Sequence, residues 1–268
     1  MDDAQYGPHR FSGGGEETDT FRGAAFRVAD LRGARFTDCD LSGVKIVDGC
    51  LVDVDISGYV ERLLVNGVDV TEYVAAELDR RHPERVQLRE IQDADGFRAM
   101  WATIERLWSD DLARAGRLPE AARNERVDGE WSFAETLRHL VFIVDAWLSR
   151  PVLDQERPYH PLGVPQSWYA DQDAVALGID PAAAPAYDEV VGVLADRMAL
   201  VRRTVDALTN ADLGRTSTLN PAPGYPDEPF AVAECLAVVM EEACEHHRFA
   251  TRDLTTLEAR SVHSGVEA

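Results

Sequence analysis

The chain has 268 residues, 45% of them apolar and 28% charged, with a formal net charge of −21 from 27 basic and 48 acidic side chains. That length suits one large domain or two ordinary ones, and the apolar share suffices for a core. The acidic excess argues against nucleic acid held on an extended cationic track and against an anionic membrane surface as partner, although a local basic patch or a DNA-mimicking surface survives the argument.

Residues 1–18 read as a flexible, acidic tail. Met1 to Arg10 has no basic n-region and no apolar h-region, so a secretory signal is not expected. The most apolar stretch, Leu140 to Leu148, is interrupted by Asp145 and is too short to span a bilayer. Cys39, Cys50, Cys235 and Cys244 form no C-x-x-C pair, so free thiols in a reducing cytoplasm are expected.

From Phe21 a period of five appears. Phe21, Phe26, Leu31, Phe36, Leu41, Ile46, Leu51 and Ile56 are all apolar, and small or modest residues such as Ala24, Ala29, Ala34, Cys39 and Val44 stand two places before the later ones. Neither the helical period of 3.6 nor the strand period of 2 produces this spacing. With Ala29-Asp30-Leu31 and Cys39-Asp40-Leu41 as its closest units, the segment resembles the pentapeptide-repeat family. The resemblance implies a short right-handed, four-sided β-helix over 19–60, with the five-spaced residues pointing inward. Stacked coils bury a shared core and need capped ends, so about two coils should pack on the rest of the chain.

Residues 61–94 read as a connector. Leu63 to Val70 predicts a short hairpin turning at Asn66-Gly67, Thr71 opens a short helix through Leu78, and His82-Pro83 breaks it. The boundary is placed within 85–93. Residues 95–258 read as helical, and 259–268 as a C-terminal tail. Phe97, Trp101, Ile104 and Trp108 are spaced for a helix over Asp95–Ala115 that stops at Gly116. Ser132 and Glu135 form a capping box for a second helix that Pro151 ends at Arg150. Helices over Pro185–Leu208 and Ala231–Leu254 complete a four-helix bundle, and the long connections at 151–180 and 209–229 point to a binding role. The fold class is thus mainly α with a small β module.

On the fourth helix Glu242 and His246 are four apart, about 40° from each other on the helical wheel. That suits two ligands on one metal ion, whereas His247 has Ala243 at the corresponding place. Cys235, Val239, Phe249 and Asp253 lie near the same face, but Cys235 is about 10 Å along the axis and could only line a pocket. His139, mid-helix among apolar neighbours, offers a third ligand, while Glu135 is read as a cap. A His₂Glu set leaves a coordination position for water or substrate. A Glu-x-x-x-His pair alone is more often a solvated ion pair, and a lone mid-helix histidine more often a core residue. His9, His82, His160 and His263 fall in loops or tails, and the five tryptophans read as core, except that Trp168-Tyr169 could cover a pocket.

Residues 95–258 resemble the DinB-like family, in the branch that includes mycothiol-dependent maleylpyruvate isomerase. The resemblance rests on Trp131 to Leu140, Glu234 to Met240 and, above all, Glu242 to Leu254, which follows a pattern close to E-x-W-E-H-H-R-Y-A-x-R-D-L. It implies that Glu242 and His246, with His139 from the second helix, ligate a divalent metal, with Zn²⁺ the expected ion. Other DinB-like proteins use three histidines. Ala243-Cys244 depart from the pattern where acidic and aromatic residues are usual, which bears on the substrate and leaves the ligands intact.

The resemblance also implies a thiol-dependent transferase or isomerase. Its partners would be a low-molecular-weight thiol such as mycothiol and a small electrophile, and a homodimer is left open. A divalent ion holds a bound thiol as thiolate, the nucleophilic form, at neutral pH. Two readings compete. One is a scaffold protein using the repeat module. The module's five basic residues (Arg22, Arg27, Arg32, Arg35, Lys45) against six acidic ones (Asp30, Asp38, Asp40, Asp48, Asp53, Asp55) make it a poor phosphate mimic. The other is a hydrolase with metal-bound water as nucleophile.

Overall fold

A computed structural model describes residues 21–36, 39–167, 169–225 and 228–264, and of 262–264 the backbone alone. It divides into two compact units, one of residues up to 74 with 167–170 and one of 75–166 with the residues from 171 on. The described chain is mainly helical, with one two-stranded sheet. Among the described residues no helix is long and apolar enough to cross a membrane.

In the first unit the period of five is written into the backbone. Left-handed φ values recur at Gly23, Val28, Gly33, Gly43, Asp48, Asp53 and Gly58. Turns closed by Ala24, Ala34 and Val44 N–H groups onto Phe21, Leu31 and Leu41 carbonyls repeat every ten residues. The five-spaced side chains expected inside are 47–71% exposed. The inward-pointing row that the resemblance implied is therefore not seen among the described residues of this segment. The hairpin forms as its turn residues predict: β1 (Leu64–Val65) pairs antiparallel with β2 (Val68–Asp69). Asn66 (φ 50°) and Gly67 (φ 81°) adopt the left-handed pair that a two-residue hairpin loop requires.

Helix α1 (Thr71–Arg81) runs three residues past the predicted Leu78 and leads to α2 (Glu84–Arg89), a helix the sequence reading did not include, directly after Pro83. The second unit is built on α3 (Ala94–Ala115), α5 (Phe133–Val144), α7 (Tyr187–Ala207) and α9 (Val232–Ser264), with short helices α4 (Glu120–Arg123), α6 (Asp171–Leu177) and α8 (Asn210–Leu213) between them. Helix α3 packs on α7 and α9, and so does α5. The stripe Phe97, Trp101, Ile104, Trp108 is buried as its spacing predicts, and Trp108 Nε1 donates to the Ala243 carbonyl at 3.0 Å.

Helix α9 runs ten residues past the predicted end at Leu254. Leu257 keeps its apolar face buried, and Arg114 holds Glu258 at 2.9 Å. No glycine or proline intervenes before Gly265.

Helix α5 is buried on nearly every side, with only Glu135 half exposed. A helix apolar all round belongs in a core, and this places Arg138 and His139 in the interior. Its start is a complete capping box: Ser132 Oγ accepts from Glu135 N at 3.3 Å, and Glu135 Oε2 accepts from Ser132 N at 2.8 Å. Ser132→Ala is expected to lower stability by about 1 kcal/mol, read as a shift in the denaturant midpoint. At its other end the expected continuous helix gives way to a π-helical turn, Asp145–Ser149, where the Arg150 N–H reaches the Asp145 carbonyl. The slip lies where Pro151 removes the next backbone donor.

Candidate metal centre

Burial of α5 and the apolar stripe of α9 turn His139 and Glu242 toward each other in the interior, 1% and 2% exposed. His246, one helical turn beyond Glu242, is partly open to solvent. Glu242 Oε2 lies 3.3 Å from His139 Nε2 and 3.0 Å from His246 Nε2. One ligand atom from each residue lies within 4.8 Å of the others, the sole such His/Cys/Asp/Glu group among the described residues. His139, Glu242 and His246, named from spacing and resemblance, are therefore neighbours in space. His247 points elsewhere, as the wheel requires: its Nε2 is 3.3 Å from Asp111 Oδ2 and its ring meets Trp108 edge-on.

Hydrogen bonding says what this cluster lacks. His139 Nδ1 is 2.8 Å from the Val164 carbonyl, which can only accept, so Nδ1 carries the hydrogen. In the neutral ring Nε2 is then a bare lone pair facing a second acceptor, Glu242 Oε2. Two acceptors at 3.3 Å repel each other unless a proton or a metal cation lies between them. Burial lowers the pKa of His139 and so opposes a proton there. Two neutral imidazoles and one buried carboxylate form a donor set of net charge −1 that a divalent cation fits.

Trp131, just before the α5 cap, stands over both rings. Its ring centroid is 4.6 Å from that of His139 and 5.8 Å from that of His246, nearly parallel to the latter. Reading the tryptophans as core missed this place. The signal available was position, one residue before the cap of the helix that carries His139. The Val164 carbonyl was equally hidden, since a main-chain partner leaves no mark in side-chain identity. Of the pair Trp168-Tyr169, Tyr169 is buried and Trp168 lies outside the described residues.

Other residues of the same face do not join the cluster. Asp253 is held by Arg252 at 2.8 Å, and Arg252 in turn by Glu130 at 2.6 Å. Cys235 and Cys244 are fully enclosed, and burial pushes both thiols up to about 12. Both stay protonated at neutral pH, and the chain's own buried thiols are poor nucleophiles and poor metal ligands.

Residues 103–250 match the family model of the DinB superfamily, and residues 21–58 match pentapeptide repeats in eight copies. No curated protein matches the chain. Among solved structures, a protein from Streptococcus pneumoniae is 16% identical over 66% of this chain and 97% of its own, with a TM-score of 0.45. An uncharacterized protein from Clostridium difficile 630 is 13% identical over 63% and 97%, with a TM-score of 0.44.

Proposed function

The chain belongs to the DinB superfamily, and from that premise we propose that it is a metal-dependent transferase or isomerase using a low-molecular-weight thiol, mycothiol-like, against a small electrophilic substrate. The observation that carries the metal is the convergence of His139, Glu242 and His246, with one ligand atom of each within 4.8 Å of the others. The thiol rests on the sequence match of Glu242 to Leu254 to the branch with mycothiol-dependent maleylpyruvate isomerase. The buried Cys235 and Cys244, protonated at neutral pH, do not compete for that role. In this reading α3, α5, α7 and α9 are the bundle of a DinB-like catalytic domain over 95–258, and 19–60 is a short β-helix.

A divalent ion, Zn²⁺ in this reading, would favour the thiolate form of a bound thiol at neutral pH. The residues of the chain do the rest. His139 and His246 present Nε2 lone pairs, Glu242 supplies the compensating charge, and the Val164 carbonyl keeps the His139 ring from turning. Trp131 walls the two imidazoles and limits water beside them. The incoming thiol loses its proton to solvent, and its sulfur adds to the electrophilic carbon of an activated double bond, whose π electron pair moves to the neighbouring atom and takes up a proton from solvent. A transferase keeps that bond, whereas an isomerase breaks it again and returns the thiol.

The test is a screen of metal-loaded full-length protein with several small thiols and electrophiles, following thiol consumption and the mass of the S-conjugate. Thiol-dependent turnover that His139→Ala removes is expected. Turnover that needs metal but no thiol would replace this reading with the hydrolase. A loaded site with no turnover on any pair would favour the scaffold reading.

A further inference from the structure

Arg138, the residue before His139, is 9% exposed, yet it makes no ion pair among the described residues. Its guanidinium is bound to main chain instead. Nε donates to the Leu162 carbonyl at 2.8 Å and Nη1 to the Ala183 carbonyl at 3.0 Å, while Nη2 is buried without a partner. An interior cation lacking a carboxylate is costly to keep, so its place calls for a reason.

The reason lies in what those carbonyls belong to. Leu162, Gly163 and Val164 form a short piece of loop laid along α5. The Val164 N–H bonds to the Arg138 carbonyl at 3.2 Å, and the Val164 carbonyl takes the Nδ1–H of His139 at 2.8 Å. Gly163 between them sits flush on the helix: a Cβ there would meet the His160 carbonyl oxygen at 3.2 Å and Phe142 Cβ at 3.4 Å. One residue of α5 thus tethers the loop, and the next residue has its ring oriented by the same loop.

The geometry points to Arg138 as a positioning residue: by anchoring Leu162 and Ala183 it holds the Val164 carbonyl where it fixes the tautomer and tilt of His139, and so presents Nε2 toward Glu242 and His246. Its consequence for metal affinity rests on the metal reading above, but the orientation of His139 does not. Outer partners of metal-binding histidines commonly change affinity about 10- to 100-fold when removed.

The test uses the full chain as unaltered protein, Arg138→Met and Gly163→Ala. Arg138→Met keeps the apolar stem and removes both hydrogen bonds, and Gly163→Ala lifts the loop without touching Arg138. Two quantities are read: the His139 tautomer in metal-free protein, from imidazole ¹⁵N shifts, and Zn²⁺ affinity by chelator competition. The unaltered protein is expected to hold His139 as the Nδ1–H form. Both variants should give mixed tautomers and Zn²⁺ binding weakened about 10- to 100-fold. A lowered melting temperature with the Nδ1–H form and the affinity both retained would overturn the proposal, because a merely structural arginine predicts that result. Where Arg138→Met fails to fold, Gly163→Ala decides on the same readings. If the unaltered protein takes up no stoichiometric Zn²⁺, the metal reading falls and the tautomer comparison alone decides the positioning role.

Discussion

Glu242→Gln is expected to leave the purified protein without stoichiometric divalent metal, its affinity reduced by more than about 100-fold. Losing an outer partner of a metal-binding histidine already costs about 10- to 100-fold, and Glu242 supplies both the central oxygen and the whole negative charge of the cluster. An amide is nearly the same shape, so the variant should fold with the denaturant midpoint of the unaltered protein stripped of metal. Metal analysis alongside that midpoint checks the expectation. Full metal content in the variant would remove Glu242 from the ligand set.

Acid should have a related effect on the unaltered protein. Burial lowers the pKa of His139 from the ordinary 6.5, so as pH falls the unfolded chain takes up a proton before the folded one does. The stability that His139 contributes is then full above about 6.5 and is lost as pH falls toward the folded value. Metal retention should decline in the same direction, because the imidazole ligands must be neutral to bind. A thermal midpoint and metal content that both hold steady from pH 7.5 to 5.5 would contradict this.

The second large effect is structural. Asp145, 1% exposed in the π-helical turn, is met by Arg197 Nε at 2.5 Å and by the His160 N–H at 2.8 Å. Burial pushes its carboxyl up, and Arg197 works against that shift. Arg197→Met removes the only side-chain cation bonded to it among the described residues, and should cost about 3–5 kcal/mol at neutral pH, the range for breaking a buried pair. The loss should shrink in acid: without the arginine the folded pKa rises further, so the carboxyl protonates more readily as pH falls. Asp145→Leu added to Arg197→Met should recover part of the loss. The His160 N–H then lacks its acceptor, a remaining cost of about 1–3 kcal/mol. Denaturant unfolding at pH 7.5 and 5 measures all of this, and an Arg197→Met loss below 1 kcal/mol at neutral pH would refute the pairing argument.

Asp145 also shows how far the sequence could be read. As a charge inside Leu140–Leu148 it spoke against a membrane span, but its partner Arg197 is 52 residues away on another helix. The register slip into a π turn was equally invisible, since one continuous helical pattern covers it. The buried stripe of α3, the capping box of α5 and the Asn66-Gly67 turn were legible because each is local. In each, hydrophobic spacing, a cap or a left-handed turn residue acts within a few positions. Pro83 marked a break correctly but hid α2, which begins directly after it.

The sequence by itself determined that Glu242 and His246 share a helix face and that His247 does not, because α-helix geometry fixes the angle between residues four apart. It also determined the five-residue period, whose left-handed positions recur in the backbone. Only the tertiary structure decided that His139 meets them, that Asp253 is held by Arg252 away from them, and that Trp131 and the Val164 carbonyl enclose the set. Those contacts join segments far apart in the chain, and they depend on which faces of α5 and α9 are buried together. Main-chain carbonyls carry no sequence signature. The orientation of His139, on which any cation at this site depends, therefore had to come from the packed fold.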